Sequence, residues 1–280
     1  MDWLTGIQNA VHYIEDNLLE ELDYEEIAKR ACVSSFHFQR VFGILCGFTL
    51  GEYIRNRRLT LAGLELLSGK EKVIDIAIKY GYDSPDSFTK AFSRFHGISP
   101  SSAKKEGTKL KSAAPLKIIF KLEGGNLMDY KIEKKEAFTV IGCTKEFNGD
   151  TMNVEVPEFW KEHFQSGNGA YVCGMFGISY DTKSGNNKIN YMIADCNKGK
   201  ELLPDKFTKM EIPAKTWAIF PCTGAMPDAL YEGFKKIWGE WLPNCREYEL
   251  DDCITIEMYT AGDSSSADYY TEIWIPVKRK

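Results

Sequence analysis

Phe36, Gln39 and Arg40 stand at i, i+3 and i+4 in the run SSFHFQRVF, with Ser35 just before them. Such a face suits the edges of DNA bases. Arg pairs bidentately with guanine, Gln with adenine, and an apolar ring meets a thymine methyl. The alternative is a solvated helix face bearing one exposed Phe. Ser87, Lys90 and Arg94 make a second polar face about fifty residues on. Arg55, Arg57 and Arg58 crowd a third stretch, able to meet phosphates or simply to be solvated. Near the end, the alternation of EIWIPV puts Glu272 and Trp274 on one strand face, Ile273 and Ile275 on the other. A carboxylate buried among aromatics pairs with a cation or has its pKa raised; the alternative is an ordinary solvated glutamate. No catalytic or metal chemistry is legible beside these. There is no Ser-His-Asp or Cys-His arrangement, and the four histidines (12, 37, 96, 163) have no ligand spacing. No cofactor is expected.

The elements that hold these residues can be read from the run VIDIAIKYGYDSPDSFTKAFSRFHGISP, residues 73–100. Ile74, Ala77 and Ile78 predict one face of a short helix. Gly81 is placed as its left-handed stop. Ser84 caps a second helix with Pro85 at its first position. Phe88, Ala91, Phe92 and Phe95 form the buried side, leaving Ser87, Lys90 and Arg94 outside. This is a helix-turn-helix pattern, or a helical hairpin of any core. DYEEIAKRACVSSFHFQRVF repeats it: Ile27-Ala28 corresponds to Ile76-Ala77, and Phe38, Val41 and Phe42 to Phe88, Ala91 and Phe92. Two copies make chance an unlikely source.

Around the repeat, Trp3, Ile7, Ala10, Val11, Ile14 and Leu18 stripe an opening helix. Asp23 with Glu26, and Thr49 with Glu52, predict capping boxes, stapled by Leu22/Ile27 and Phe48/Tyr53. Ser34 is placed as the cap of the helix carrying Phe36. The helix after Thr49 runs to Leu67 and stops at Ser68-Gly69. Its roughly eighteen residues span about 27 Å, a rod that could set two motifs near one DNA turn, about 34 Å, apart.

The chain has 280 residues, 44% apolar and 27% charged, enough for two globular domains. No apolar run reaches the roughly eighteen residues of a membrane span, and no signal peptide opens it. Its eight cysteines contain no C-x-x-C pair, which argues against zinc and for reduced, cytoplasmic thiols. The net charge of −5 conceals an asymmetry. Residues 1–28 hold eight acids and no base; residues 29–112 hold fifteen Lys+Arg against seven Asp+Glu, a net of +8. The positive charge lies where the repeat lies, which fits a phosphate-facing surface; a solvated face would show a milder version of the same bias.

Residues 107–126 read as a linker, with an alternating run, Leu116–Leu122, that could pair as an edge strand. Beyond it, strand patterns at 130–134, 138–144, 174–180, 188–194, 206–212, 216–223, 253–259 and 270–276 are interrupted by amphipathic helices at 156–164 and 229–242. The order is strands–helix–strands, twice over.

Residues 1–108 resemble the DNA-binding domain of the AraC/XylS family, close to its Rob, MarA and SoxS branch. The resemblance is carried by EEIAKRACVSSFHFQRVF, the connecting GEYIRNRRL, and IDIAIKYGYDSPDSFTKAFSRFHGISP. It implies seven helices and two helix-turn-helix units in adjacent major-groove segments. Ser35, Phe36, Gln39 and Arg40 are then reading candidates on the first recognition helix, Ser87, Lys90 and Arg94 on the second, and Arg55 a phosphate contact. Close relatives carry polar amides where this chain has Pro85 and Asp86. Asp86 would repel phosphate unless it accepts from a cytosine amine, so the second helix is expected to read fewer bases.

Residues 127–280 resemble a GyrI-like effector-binding domain through TWAIFPCTG, IWGEWLP before EYEL, and EIWIPV. The expected fold is therefore multidomain: an all-α domain at 1–108, a linker at 109–126, and an α+β domain at 127–280 with an antiparallel sheet, two helices and a pseudo-twofold repeat. In that family a carboxylate on the closing strand meets cationic, apolar ligands in an aromatic cleft. Glu272 matches that position, beside Trp274; Trp160, Tyr191, Trp217 and Tyr259 are cleft walls or plain core. The resemblances imply a cytoplasmic, ligand-responsive regulator, an activator acting on promoter DNA with RNA polymerase, and no enzyme. The alternatives for the C-terminal half are a hydrolase using Glu272 and a module that sequesters a protein partner.

Overall fold

The computed structural model describes residues 3–31, 33, 35–105, 107–117, 128–181, 188–197 and 204–280; for positions 3, 4, 36, 37, 153 and 181 it describes the backbone alone. Among the described residues the first 117 positions form seven helices: α1 (Trp3–Asp16), α2 (Tyr24–Arg30), α3 (Ser35–Cys46), α4 (Leu50–Leu67), α5 (Val73–Lys79), α6 (Pro85–His96) and α7 (Pro100–Ala103). The chain divides into two compact units, Trp3–Cys32 with Phe48–Leu122, and Val33–Gly47 with Glu123–Lys280. The helix carrying Gln39 and Arg40 thus packs in the second unit.

In the first unit the local signals act largely as written. Thr49 and Glu52 form the capping box of α4, which ends at Ser68 before Gly69 in the left-handed region. Ser84 accepts from the Ser87 amide, with Pro85 opening α6. Asp23 instead accepts from the Glu25 amide, and Glu26 pairs with Lys29, so no box closes there. The Ser34 cap lies outside the described residues. Phe88 and Phe92 are wholly buried against Leu59, Ala62, Leu66, Ile76, Ala77 and Tyr80. Helix α5 is rotated from the expected face: Ile76 and Ala77 turn inward, while Ile74 and Ile78 are exposed, Ile78 at 66%.

The stretch read as linker begins as part of this unit. Leu110 packs on the core, the Ala113 amide donates to Thr60 Oγ1 (2.9 Å) and the Leu116 amide to Tyr53 Oη (3.0 Å). Residues 116 and 117 are not in a strand, and the rest of the supposed edge strand lies outside the described residues.

In the second unit the strands are β1 (Lys131–Lys135), β2 (Phe138–Asn148), β3 (Phe176–Asp181), β4 (Lys188–Cys196), β5 (Thr208–Ile212), β6 (Lys215–Thr223), β7 (Tyr248–Leu250), β8 (Thr255–Tyr259) and β9 (Tyr270–Arg279). Helix α8 (Met152–Gln165) follows β2. Helix α9 (Asp228–Lys236) follows β6 and runs on through a π-helical turn, Ile237–Trp241. The sheet order is β1-β6-β9-β8-β3-β4-β2-β5, with β7 added beside β9. Strands β2, β3 and β4 with α8 match β6, β8 and β9 with α9. In each set the last strand lies between the other two, and the sets meet where β3 pairs with β8. The strand–helix–strand repeat is therefore a pseudo-twofold sheet.

Alternation divides the sheet into two faces. One carries Val140, Ile178, Met192, Trp217, Ile219, Ile256 and Trp274, a single buried cluster. Phe147, Tyr191 and Ile193 on the other pack against Phe159 and Trp160 of α8. Helix α9 lies on that same face: a Cβ at Gly233 would meet Cys222 Sγ at 2.5 Å and Ile273 Cδ1 at 2.9 Å. Burying each such large side chain contributes about 1.5–3 kcal/mol, so which residues face which side is strongly fixed.

Candidate functional site

On the helix-bearing face the two repeats meet at Gly177 and Ser179 of β3 and Thr255 and Glu257 of β8. Gly177 is opposite Glu257, and Ser179 opposite Thr255. Glu257 is buried. Its Oε2 accepts from Tyr191 (2.9 Å) and Tyr259 (2.8 Å), and Trp160 Nε1 donates to the Tyr191 hydroxyl (3.0 Å). The Trp160 and Tyr259 rings meet edge-on at 5.1 Å. Gly177 leaves room for this cluster, because a Cβ there would stand 2.1 Å from Tyr191 Oη. Burial, then the Glu257 charge, pushes both tyrosine hydroxyls well above the ordinary phenol range, so they stay protonated donors. The result is a desolvated carboxylate, one oxygen held by phenols, walled by aromatics.

Its other oxygen is taken by a cation from the same chain. Arg40 Nη2 pairs with Glu257 Oε1, Nη1 donates to Ser179 Oγ (2.7 Å), and the guanidinium stands 4.2 Å from the centre of the Phe234 ring on α9. The Arg40 side chain is 11% exposed. A planar guanidinium is well matched to a carboxylate and an aromatic face at once.

The six residues expected around the effector separate across the sheet. Trp160, Tyr191 and Tyr259 come together at Glu257. Glu272, Trp274 and Trp217 do not. Ile273 faces α9, and Glu272 turns to the opposite face. There Tyr270 Oη (2.9 Å) and Trp274 Nε1 (2.7 Å) donate to it. Burial, then Glu272, raises the Tyr270 hydroxyl to about 12. Trp217 and Trp274 pack together inside the apolar cluster. Glu272, expected as the cleft carboxylate, thus lies on the sheet face opposite the helices, apart from Trp160, Tyr191 and Tyr259. The signal for Glu257 was present in TIEMY, where Thr255, Glu257 and Tyr259 alternate with Ile256 and Met258.

The DNA-contact candidates also fall into two sets. Ser87, Lys90 and Arg94 are exposed along α6, and Arg55 is exposed on α4. Gln39 is buried, its Nε2 donating to Ser35 Oγ (3.1 Å), and Arg40 is paired with Glu257. The Phe36 side chain lies outside the described residues. Arg57 and Arg58, read as free to meet phosphates, are structural. Arg57 forks onto Glu15 (2.7 Å), and Arg58 donates to the Leu18 and Glu20 carbonyls. No group of three or more His, Cys, Asp or Glu among the described residues is placed to hold a metal. No helix of the described residues is long and apolar enough to cross a membrane.

Residues 131–277 match the family described as integron-associated effector binding protein, and residues 27–106 match a helix-turn-helix domain. The chain is 45% identical over 95 residues to the HTH-type transcriptional activator AarP of Providencia stuartii, covering 34% of this chain and 70% of AarP. It is 37% identical over 95 residues to the regulatory protein SoxS of Salmonella typhimurium, covering 34% of this chain and 89% of SoxS. A solved structure of SAV2435 bound to tetraphenylphosphonium is similar with a TM-score of 0.47 and 23% identity, over 54% of this chain and 94% of that one.

Proposed function

The chain belongs to the AraC-type helix-turn-helix transcription regulators and carries an integron-associated effector-binding domain, and we propose that its effector is a lipophilic cation held on Glu257. The observation that carries this reading is the guanidinium already seated there. A buried carboxylate is costly unless a positive charge meets it. Trp160, Tyr191 and Tyr259 suit the apolar body of such a ligand, and Glu257 Oε1 suits its charge.

On this reading the regulator is an activator that works in the cytoplasm on promoter DNA, with RNA polymerase as its partner. Ser35, Phe36, Gln39 and Arg40 read bases from α3. Ser87, Lys90 and Arg94 face DNA from α6, and Arg55 meets phosphate. Tyrosines that remain protonated orient Glu257 as a ligand acceptor, which favours binding over hydrolysis.

The test is calorimetry of tetraphenylphosphonium on the full-length wild type and Glu257→Gln. Removing one partner of a desolvated charge pair costs roughly 2–5 kcal/mol, so affinity should fall about thirtyfold or more. Tetraphenylborate, an anion of the same shape, should bind neither protein. Equal cation affinities would refute the assignment.

A further inference from the structure

Glu257 has one oxygen not held by the tyrosines, and two claimants compete for it. Oε2 is committed to Tyr191 and Tyr259. Oε1 holds Arg40, which the sequence marks as a base-reading residue. The rest of α3 follows Arg40 into the second unit: Val33–Gly47 clusters with the sheet, and Leu45 Cδ2 lies 3.6 Å from where a Cβ of Gly239 would stand, on the π-helical turn. Gln39, the neighbouring reader, is 5% exposed, and among the described residues its Oε1 has no hydrogen-bond partner. A buried amide oxygen without a donor opposes the arrangement that buries it. Arg40 thus ties the helix to Glu257 by a charged pair, on a seat that does not satisfy its other reading side chain.

We propose that Arg40 is an internal ligand of the effector cleft: the free chain locks its first recognition helix onto Glu257, and an incoming cation displaces Arg40 and releases α3 to read DNA. This rests on Glu257 being the cation site. The same guanidinium cannot pair with Glu257 and with a guanine, so the locked helix does not read bases. A protein competent only in its released fraction has its apparent affinity reduced by that fraction. Coupling between the two sites is then reciprocal: DNA on α3 favours the cation as much as the cation favours DNA.

The test labels full-length protein with phenylglyoxal and follows Arg40 by peptide mass spectrometry, with exposed Arg55 as internal reference. A lock closed nine times in ten should slow Arg40 about tenfold relative to Arg55. Glu257→Gln should bring the two rates together without any ligand. Ser179→Ala, which deletes one Arg40 contact and leaves the carboxylate, should raise the Arg40 rate part of the way and guards against misfolding of the first variant. Tetraphenylphosphonium should accelerate Arg40 in wild type and not in Glu257→Gln. A second arm measures anisotropy on a duplex enriched from a random pool with full-length Glu257→Gln. Wild type should bind it about tenfold more weakly, and tetraphenylphosphonium should close the gap. If Arg40 labels as fast as Arg55 in wild type, or stays slow in both variants, the lock is overturned. If the variants release Arg40 but the cation does not bind wild type, the lock stands and the proposed effector class fails.

Discussion

Gly177→Ala tests whether the cleft is packed as described. Glycine within a strand normally destabilises it by roughly 0.5–1 kcal/mol relative to alanine, so an alanine with space around it should stabilise. At Gly177 there is no space: the Cβ would stand 2.1 Å from Tyr191 Oη, 2.9 Å from Cζ and 3.0 Å from Glu257 Oε2. Tyr191 is almost wholly buried and fixed by Trp160 and Glu257, so its ring cannot swing into solvent. Overpacking typically costs about 1–3 kcal/mol, and each buried group left without its partner about 1–3 kcal/mol more. A net loss of about 2–4 kcal/mol is expected, roughly 4–16 °C in Tm at 2–4 °C per kcal/mol. Urea and thermal denaturation measure it, and calorimetry with tetraphenylphosphonium should show weakened binding. Gly43→Ala is the control: it is interior to α3 with nothing within 4 Å, and should gain about 0.5–1 kcal/mol. If Gly177→Ala is as stable as wild type or more so, Tyr191 is not pinned beneath β3 and the cleft geometry is wrong.

Two further outcomes concern the first unit. His96 Nε2 lies 3.0 Å from the Leu59 carbonyl and Nδ1 accepts from the Lys111 amide, and burial holds its pKa below the ordinary value. The unfolded chain therefore binds the extra proton, so this contribution is full above about pH 6.5 and is lost as pH falls; thermal melts from pH 7.5 to 5.5 should show a slope that His96→Gln flattens. Arg55→Ala should weaken binding to all duplexes alike and lower the salt slope by about one unit in anisotropy titrations, whereas a change of sequence preference would show that Arg55 reads bases.

The helical half was legible because its signals are local. A capping box at Thr49, a proline after Ser84 and glycines at 69 and 81 act within a few residues, and each appears where the sequence puts it. The strand–helix repeat was legible for the same reason, although short β7 escaped notice. Periodicity failed at Ile74 and Ile78, because a seven-residue helix contains too few apolar positions to fix its rotation. It failed again at Glu272. Period two says which residues share a face, and only tertiary packing says which face the helices cover. Both β8 and β9 carry a glutamate with an aromatic two residues away. The roles of Arg57 and Arg58 were illegible because their partners, Glu15 and the carbonyls of Leu18 and Glu20, are about forty positions away.

The sign of regulation follows from the position of Arg40 if the lock operates. A lipophilic cation removes a competitor of DNA, so effector and promoter bind with positive cooperativity. Coupling of this kind is typically about 1–3 kcal/mol, or 5–150-fold. Its ceiling is set by the locked fraction, since a cation can release only helices that are closed. Arg40→Ala cannot imitate the effector, because it opens the lock and deletes the reader together. Glu257→Gln opens the lock and keeps the reader, so it should act as a regulator permanently switched on and indifferent to the cation. Arg40→Ala should be indifferent too, and should also lose discrimination at one base position, about 1–3 kcal/mol. The contrast between these two variants, each removing one half of the same ion pair, separates an autoinhibitory contact from a merely structural one: a structural pair would make both lose function alike.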